Sequence, residues 1–282
     1  MRLDQWLVKH QKVRSRTQAE ELIKRGEVFI LNEKTSEWQK VLKPSFDLDN
    51  NFNPDNLKID SVLMGYVARS GYKLEKALEV ISSMYLSSKT TDLNLQNANQ
   101  KDSNTTYFNI KGLKCLDVGQ STGGFSQALL EAGADLVVGL DVGTGQLSPE
   151  LKGHSKLISF ENLDIRKAKD NEDFVSYSPF DLAVVDVSFI SLTQVLDSIL
   201  QFIKPEGQVL ALVKPQFELT SKDLDKKGRV KSEAKYQEVQ TKITDYVLEH
   251  GLKVEAYFVS QLEGKDGNTE FFIYLKNSND YK

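Results

Sequence analysis

The chain has 282 residues, 40% of them apolar and 27% charged, a net charge of −4 and one cysteine. That is room for one large domain and one small one, each with its own core. One cysteine excludes an intrachain disulfide; a run of about 18 apolar residues and an apolar leader block are both lacking, so the expectation is a cytoplasmic protein that neither spans nor inserts into a membrane. The three histidines (His10, His154, His250) are scattered and suggest no metal site. Charge is uneven: residues 1–45 hold ten Lys/Arg and six Asp/Glu, and the remainder carries −8. A basic head on an acidic body points to a polyanion-binding module joined to an enzyme.

The head begins MRLDQWLVKHQKV, with Leu3, Trp6, Leu7 and His10 at helical spacing. Ser15 caps a second predicted helix, SRTQAEELIKRG, which Gly26 stops; residues 27–31 then read as a strand and Asn32-Glu33 as a turn. Arg14, Arg16, Lys24 and Arg25 bracket the second helix. On composition alone this is equally a solvated helix with ordinary charges. The order of parts resembles the α-L RNA-binding module of a ribosomal small-subunit protein, pseudouridine synthases and bacterial tyrosyl-tRNA synthetases. That resemblance implies that Arg2, Arg14, Arg16, Lys24 and Arg25 face RNA phosphates.

Pro44 and Pro54 flank a polar, turn-rich stretch, read as a linker with the boundary near residues 45–63 and domains at 1–60 and 61–282. Residues 65–83, GYVARSGYKLEKALEVISS, read as an amphipathic helix with a basic start. Residues 87–109 are rich in Asn, Ser and Thr and read as a long exposed loop inserted in the catalytic domain, either without function or as an extra RNA-contacting arm.

KCLDVGQSTGGF (114–125) is the most informative stretch. An apolar strand ends in Asp117, a turn carries Gly119, Gly123 and Gly124, and the helix FSQALLEAG follows: the nucleotide-cofactor turn of a doubly wound α/β sheet. A carboxylate at that strand end would repel a pyrophosphate, whereas S-adenosylmethionine has no phosphate and carries an ammonium and a sulfonium. The expected cofactor is therefore S-adenosylmethionine, bound by Asp117, Gly119, Ser121, Thr122, Gly123, Gly124 and Phe125. DLVVGLDV ends at Asp141, an acceptor for both ribose hydroxyls. KLISFEN is a third strand, with Asp164 beyond it as an acceptor for the adenine amine. FDLAVVDV is a fourth, ending at Asp186. Four apolar runs thus finish near an acid on one carboxyl edge, where open α/β sheets bind ligands.

A fifth strand, GQVLALV, runs into KPQFE; a helix over about 232–250 leads to two late strands, KVEAYFVSQ and GNTEFFIYLK. The expected fold is a Rossmann-like methyltransferase domain with a seven-stranded mixed sheet, its last strand inserted antiparallel, after a small α+β RNA-binding domain. Lys73, Asp186, Lys214 and Glu270 each stand at a strand or helix end, a set suited to methyl transfer onto a ribose hydroxyl. Lys214 is expected between the two carboxylates, with Lys73 nearby, and either takes the 2′-hydroxyl proton or stabilises the developing alkoxide. The plain alternative is four ordinary ion-pair residues.

RSGYKLEKAL (69–78), LDVGQSTGGF (116–125), DVGTGQL (141–147), DVSFISL (186–192), LVKPQFE (212–218) and GNTEFF (267–272) together resemble the TlyA family: an α-L module joined to an FtsJ-like ribose 2′-O-methyltransferase domain. The resemblance implies S-adenosylmethionine as methyl donor and cytidine ribose 2′-hydroxyls of ribosomal RNA, or ribosomal subunits, as substrate. It departs from the family pattern at Ser70-Gly71-Tyr72 before Lys73, where a glycine pair is usual and Tyr72 either stacks on a base or packs. It departs also in the charged segment 219–231. Two other classes remain: a non-catalytic RNA-binding assembly factor that retains the fold, and a haemolysin-type membrane-active protein. The second needs an amphipathic or apolar segment that the sequence lacks.

Overall fold

The computed structural model describes residues 1–33, 35–49, 51–60, 65–90, 108–264 and 266–277. The chain divides into two compact units, Met1–Val67 and Ala68–Lys282.

In the first unit, α1 is Leu3–Lys9 and α2 is Arg16–Lys24. The Gln18 amide donates to the Ser15 side chain at 3.2 Å, which satisfies one of the free donors of the first helical turn. β1 (Val28–Asn32) is the centre of a three-stranded antiparallel sheet between β2 (Glu37–Val41) and β3 (Leu57–Ile59). One face of this sheet and the two helices enclose Leu3, Trp6, Leu7, Leu22, Ile23, Val28, Val41 and Leu48. Each fully buried aliphatic side chain contributes roughly 1.5–3 kcal/mol. The stretch read as a linker is therefore part of this unit: Leu48 is in its core, Phe52 packs on that core, and Leu57–Ile59 completes the sheet.

The second unit opens with α3 (Arg69–Thr90), which continues into the stretch read as an exposed loop. The remainder of that predicted loop, through residue 107, lies outside the described residues. In chain order follow β4 (Lys114–Val118), α4 (Gly124–Glu131), β5 (Leu136–Leu140), β6 (Leu157–Phe160), α5 (Glu172–Val175), β7 (Phe180–Val185), α6 (Leu196–Leu200), β8 (Ile203–Val213), α7 (Pro215–Glu218), α8 (Glu233–Glu249), β9 (Leu252–Val259) and β10 (Phe271–Asn277). The sheet order is β6-β5-β4-β7-β8-β10-β9. β4 to β8 are parallel, and β10 enters antiparallel to both β8 and β9, as expected. The central strands are buried, which is why they read as unbroken apolar runs; Leu116, Val138, Ala183, Val185, Ala211 and Ile273 share one core. The chain leaves β4 towards β5 and β6 on one side and returns to β7 and β8 on the other. That reversal opens a crevice at the carboxyl ends of β4 and β7.

Candidate active site

The turn after β4 is held close to its neighbours. Gly119 has φ +86°, and a Cβ there would lie 2.6 Å from the Asp186 carbonyl oxygen beyond β7. A Cβ on Gly124 would lie 2.2 Å from Ser70 Oγ at the start of α3. Only glycine lets the turn touch both the end of β7 and the helix that carries Lys73.

Asp117 faces the interior beneath this turn. It is fully buried; Ser126 Oγ donates to its Oδ2 at 2.6 Å, and the Gln120 amide donates to Ser126 Oγ at 2.8 Å. Ser159 Oγ donates to the Gln120 carbonyl and completes the chain. Gln120, Ser126 and Ser159 were not legible as site residues, because their partners lie on three different elements. Among the described residues, Asp117 Oδ1 has no hydrogen-bond partner. Burial pushes the carboxyl up to about 7, with the charge of Asp186 adding to the shift and Ser126 opposing it. The folded protein therefore holds a proton that the unfolded chain has already lost between about pH 4 and pH 7, so this group's contribution to stability is lost as pH rises through that window. Asp117→Asn, which cannot ionise, should flatten the fall. Thermal unfolding midpoints of the two proteins between pH 5 and pH 8 check this, and parallel profiles would count against an ionising Asp117.

Asp141, just after β5, accepts from the backbone of Ser121 at 2.8 Å through Oδ2 and of Gly143 at 2.7 Å through Oδ1. It joins the glycine turn to its own loop, and each oxygen keeps a second lone pair. Ser121, with φ +48°, and Thr122 are exposed on the turn, and Gly123, with φ +91°, caps α4. Phe125 lies elsewhere than expected: it is buried, its ring stacked 6.4 Å from that of Phe272 on β10, so it supports the turn from the core. Asp164 caps the short helix Ile165–Asp170, and both its oxygens are held by the Arg166 guanidinium, at 3.0 and 2.6 Å. That contact holds its carboxyl below the usual range.

The four charged residues form two pairs. Lys214, following β8, contacts Asp186 Oδ1 at 2.6 Å and donates to Ser188 Oγ at 2.8 Å. Lys73 on α3 donates to Glu270 at the start of β10, and both are buried. Glu270 was expected to help hold Lys214; it holds Lys73 instead, since α3 presents an ammonium directly to it. Glu218 on α7 ties the loops together: its nearly inaccessible carboxylate accepts from the Leu192 backbone at 2.7 Å, from Ser191 Oγ, and from Lys242 at 3.1 Å. Between these anchors Phe189 is 91% exposed with φ +64°, its ring 5.1 Å from that of Phe217. A bulky residue held in the left-handed region with its ring in solvent is unusual in a packing role. Tyr72 is half-buried, with Lys76 Nζ 5.2 Å from its ring centre.

Residues 66–277 match the family of FtsJ-like methyltransferases, and residues 1–32 match the S4 domain. A Campylobacter jejuni protein named 23S rRNA (cytidine-2'-O)-methyltransferase TlyA is 34% identical, over 98% of this chain and 100% of its own. The chain belongs to the TlyA family of FtsJ-like methyltransferases. A Brachyspira hyodysenteriae relative named Hemolysin A is 29% identical over 98% of this chain and 99% of its own. A solved Streptococcus thermophilus structure, of a protein also named as a hemolysin, superposes with a TM-score of 0.66 at 29% identity, covering 100% of this chain and 91% of the other.

In this TlyA-family chain the basic residues of the S4 domain are engaged within their own unit. Arg2 grips Asp4 with two donors, at 3.0 and 2.9 Å, and Arg16 reaches the same carboxylate at 2.9 Å. Burial opposes ionisation of Asp4, but the two guanidinium groups hold its carboxyl below the ordinary range. Lys24 lies 3.6 Å from Glu20, Arg25 2.9 Å from Glu27, and Arg14 donates to the Tyr66 carbonyl. The guanidinium groups retain further N–H donors. Among the described residues no three His, Cys, Asp or Glu are grouped to hold a metal ion, and no helix is long and apolar enough to cross a membrane.

Proposed function

We propose that this methyltransferase uses S-adenosylmethionine to modify ribose 2′-hydroxyls at cytidines of ribosomal RNA. The observation that carries the reading is the Lys214–Asp186 pair at the ends of two adjacent parallel strands, beside the glycine turn, with the buried Lys73–Glu270 pair on neighbouring elements. The site suits the cofactor: the partnerless Asp117 Oδ1 is an acceptor of the kind an ammonium satisfies, and Asp141 keeps lone pairs for ribose hydroxyls. Gly119, Ser121, Thr122, Gly123, Gly124 and Asp186 would line the rest, with Phe125 supporting from the core. Asp164 enters only through the lone pairs that Arg166 leaves. Bound there, the cofactor supplies an electrophilic methyl group.

A ribose hydroxyl is a weak nucleophile until its proton is accepted or its developing charge is met by a cation. Lys214 is placed for either role; Asp186 and Ser188 fix where its nitrogen sits, and Glu218 fixes the two loops that carry them. The exposed Phe189 ring offers a face on which an unstacked base can lie. Relatives from Campylobacter jejuni and Mycobacterium tuberculosis named as rRNA (cytidine-2'-O)-methyltransferases support the substrate, and the S4 match supports RNA contact through Arg2, Arg14, Arg16, Lys24 and Arg25.

Maps of 2′-O-methyl nucleotides in ribosomal RNA from cells with and without this protein test the reading. At least one methylated cytidine should disappear without it; identical maps would overturn the substrate and favour a non-catalytic assembly role.

A further inference from the structure

The segment after α7 is an ordered hairpin built around two acids. A bridge pairs Leu224 with Val230, the Asp225 amide donates to the Arg229 carbonyl at 2.8 Å, and Gly228 donates back to Asp225 at 3.0 Å. Asp225 Oδ1 accepts from the backbone of Lys227 at 2.7 Å and Arg229 at 2.9 Å. Asn268, 1% exposed, clasps the hairpin from outside: it accepts from the Val230 amide at 3.0 Å and donates to the Gly228 carbonyl at 3.0 Å. Asn268 stands two positions before Glu270, so the hairpin and the catalytic cluster share one support.

Its charge is set against the rest of the unit. Residues 222–231 carry five cationic and two anionic side chains inside a body that is otherwise acidic. Both acids are taken, Asp223 by Lys235 at 2.9 Å and Asp225 by Arg229 at 2.9 Å. Lys226 and Lys227, at the exposed tip, have no ion-pair partner among the described residues. Arg16, Lys24 and Arg25 of the S4 domain, by contrast, each lie against a local acid.

We propose that Lys226 and Lys227 form a phosphate anchor for the substrate RNA on the catalytic unit itself, at a fixed offset from Lys73, Asp186, Lys214 and Glu270. This rests on the reading of the chain as an RNA methyltransferase and deepens it. Two adjacent free ammonium groups on a pre-ordered turn match successive phosphates, and no side chain need be withdrawn from an internal partner first. The clasp by Asn268 uses only backbone groups of the hairpin, so the tip lysines can be changed without loosening it.

The test is equilibrium binding of full-length protein, saturated with S-adenosylhomocysteine, to ribosomal subunits from cells lacking it, across a salt series. Lys226→Ala/Lys227→Ala should lower the magnitude of the log–log salt slope by about 1.4–1.8, the value for two phosphate contacts. If the 1 M intercept is unchanged, that is a loss of roughly 25- to 60-fold in affinity at 0.1 M salt. Lys226→Arg/Lys227→Arg should keep the wild-type slope, since the charge is preserved. An unchanged slope and affinity in the alanine variant overturns the anchor, as does wild-type protein that does not bind the subunits. Methylation of the same subunits by wild type reports separately on the proposed function. Methylation with an unchanged slope in the variant removes only the anchor, and a reduced slope without methylation removes only the function.

Discussion

Lys214→Ala is expected to fold, to bind S-adenosylmethionine as the wild type does, and to transfer methyl groups more slowly by ~10²-fold or more, the scale of a lost general base or electrostatic stabiliser. The ammonium is fixed at 2.6 Å from Asp186 and 2.8 Å from Ser188, and Pro215 begins α7 immediately after it. That geometry holds the nitrogen near one point, and positioning of this kind carries much of the rate in a displacement reaction. The fold should survive because Lys214 and Asp186 are 12% and 17% accessible, so water reaches the carboxylate once the lysine is gone. Lys214→Arg should not restore the rate: a guanidinium is planar, larger and does not deprotonate. Single-turnover methylation of undermodified ribosomal subunits decides the matter. Near-normal rates in Lys214→Ala would return Lys214 to the status of a structural ion-pair residue.

The catalytic sheet was legible because each of its central strands is buried on both faces. Burial on both sides demands an unbroken apolar run, and the chain must turn polar where the strand leaves the sheet; Asp141 and Asp186 mark such exits, whereas Asp117 is a buried carboxylate inside β4, one residue before its end. The first two helices were legible for local reasons as well: α1 from the helical spacing of Leu3, Trp6, Leu7 and His10, and α2 because Ser15 and Gly26 act within its own end turns. β2 was not, because Glu37, Trp38, Gln39 and Lys40 are all exposed and the strand exists through its pairing with β1. β3 reads as linker because three residues are too few to show a period, and it is Val28, Phe29 and Ile30 across the sheet that give them a register.

Within the site, residue types and strand-end positions could be read, but not the partners. Whether Glu270 meets Lys214 or Lys73 depends on the insertion of β10 beside β8 and on the start of α3, which is 197 positions away in sequence. Phe125 reads as part of the glycine turn because it adjoins it, yet a helix sends successive side chains some 100° apart, and this one points into the core. The S4 arginines read as RNA ligands through the resemblance to the α-L module, and residue types along the chain do not show which local acids they meet. Asp4 is a single carboxylate, but it draws Arg2 and Arg16 from two helical segments at once.

Glu270→Ala should carry the largest cost in stability, about 3–5 kcal/mol, the range found when one member of a buried ion pair is removed. Lys73 and Glu270 are 9% and 4% accessible, so the stranded ammonium would have little access to water. The carboxylate fills a slot shaped for it, since a Cβ on Gly264 would lie 2.6 Å from Glu270 Oε1. Replacing both partners should behave differently. Lys73→Met/Glu270→Leu removes the desolvation cost together with the attraction, and apolar pairs of similar volume at such sites are commonly as stable as the ions they replace. The double variant should therefore unfold at or above the wild-type denaturant midpoint while its methyl transfer is lost. If it instead retains transfer, the buried pair serves the fold alone and the chemistry rests on Lys214 and Asp186. If Glu270→Ala costs less than about 1 kcal/mol in urea unfolding, the ammonium finds another acceptor and the pair is not a closed buried unit. A stable but inactive double variant would place Lys73 and Glu270 beside Lys214 and Asp186 as charges kept for the reaction rather than for the fold.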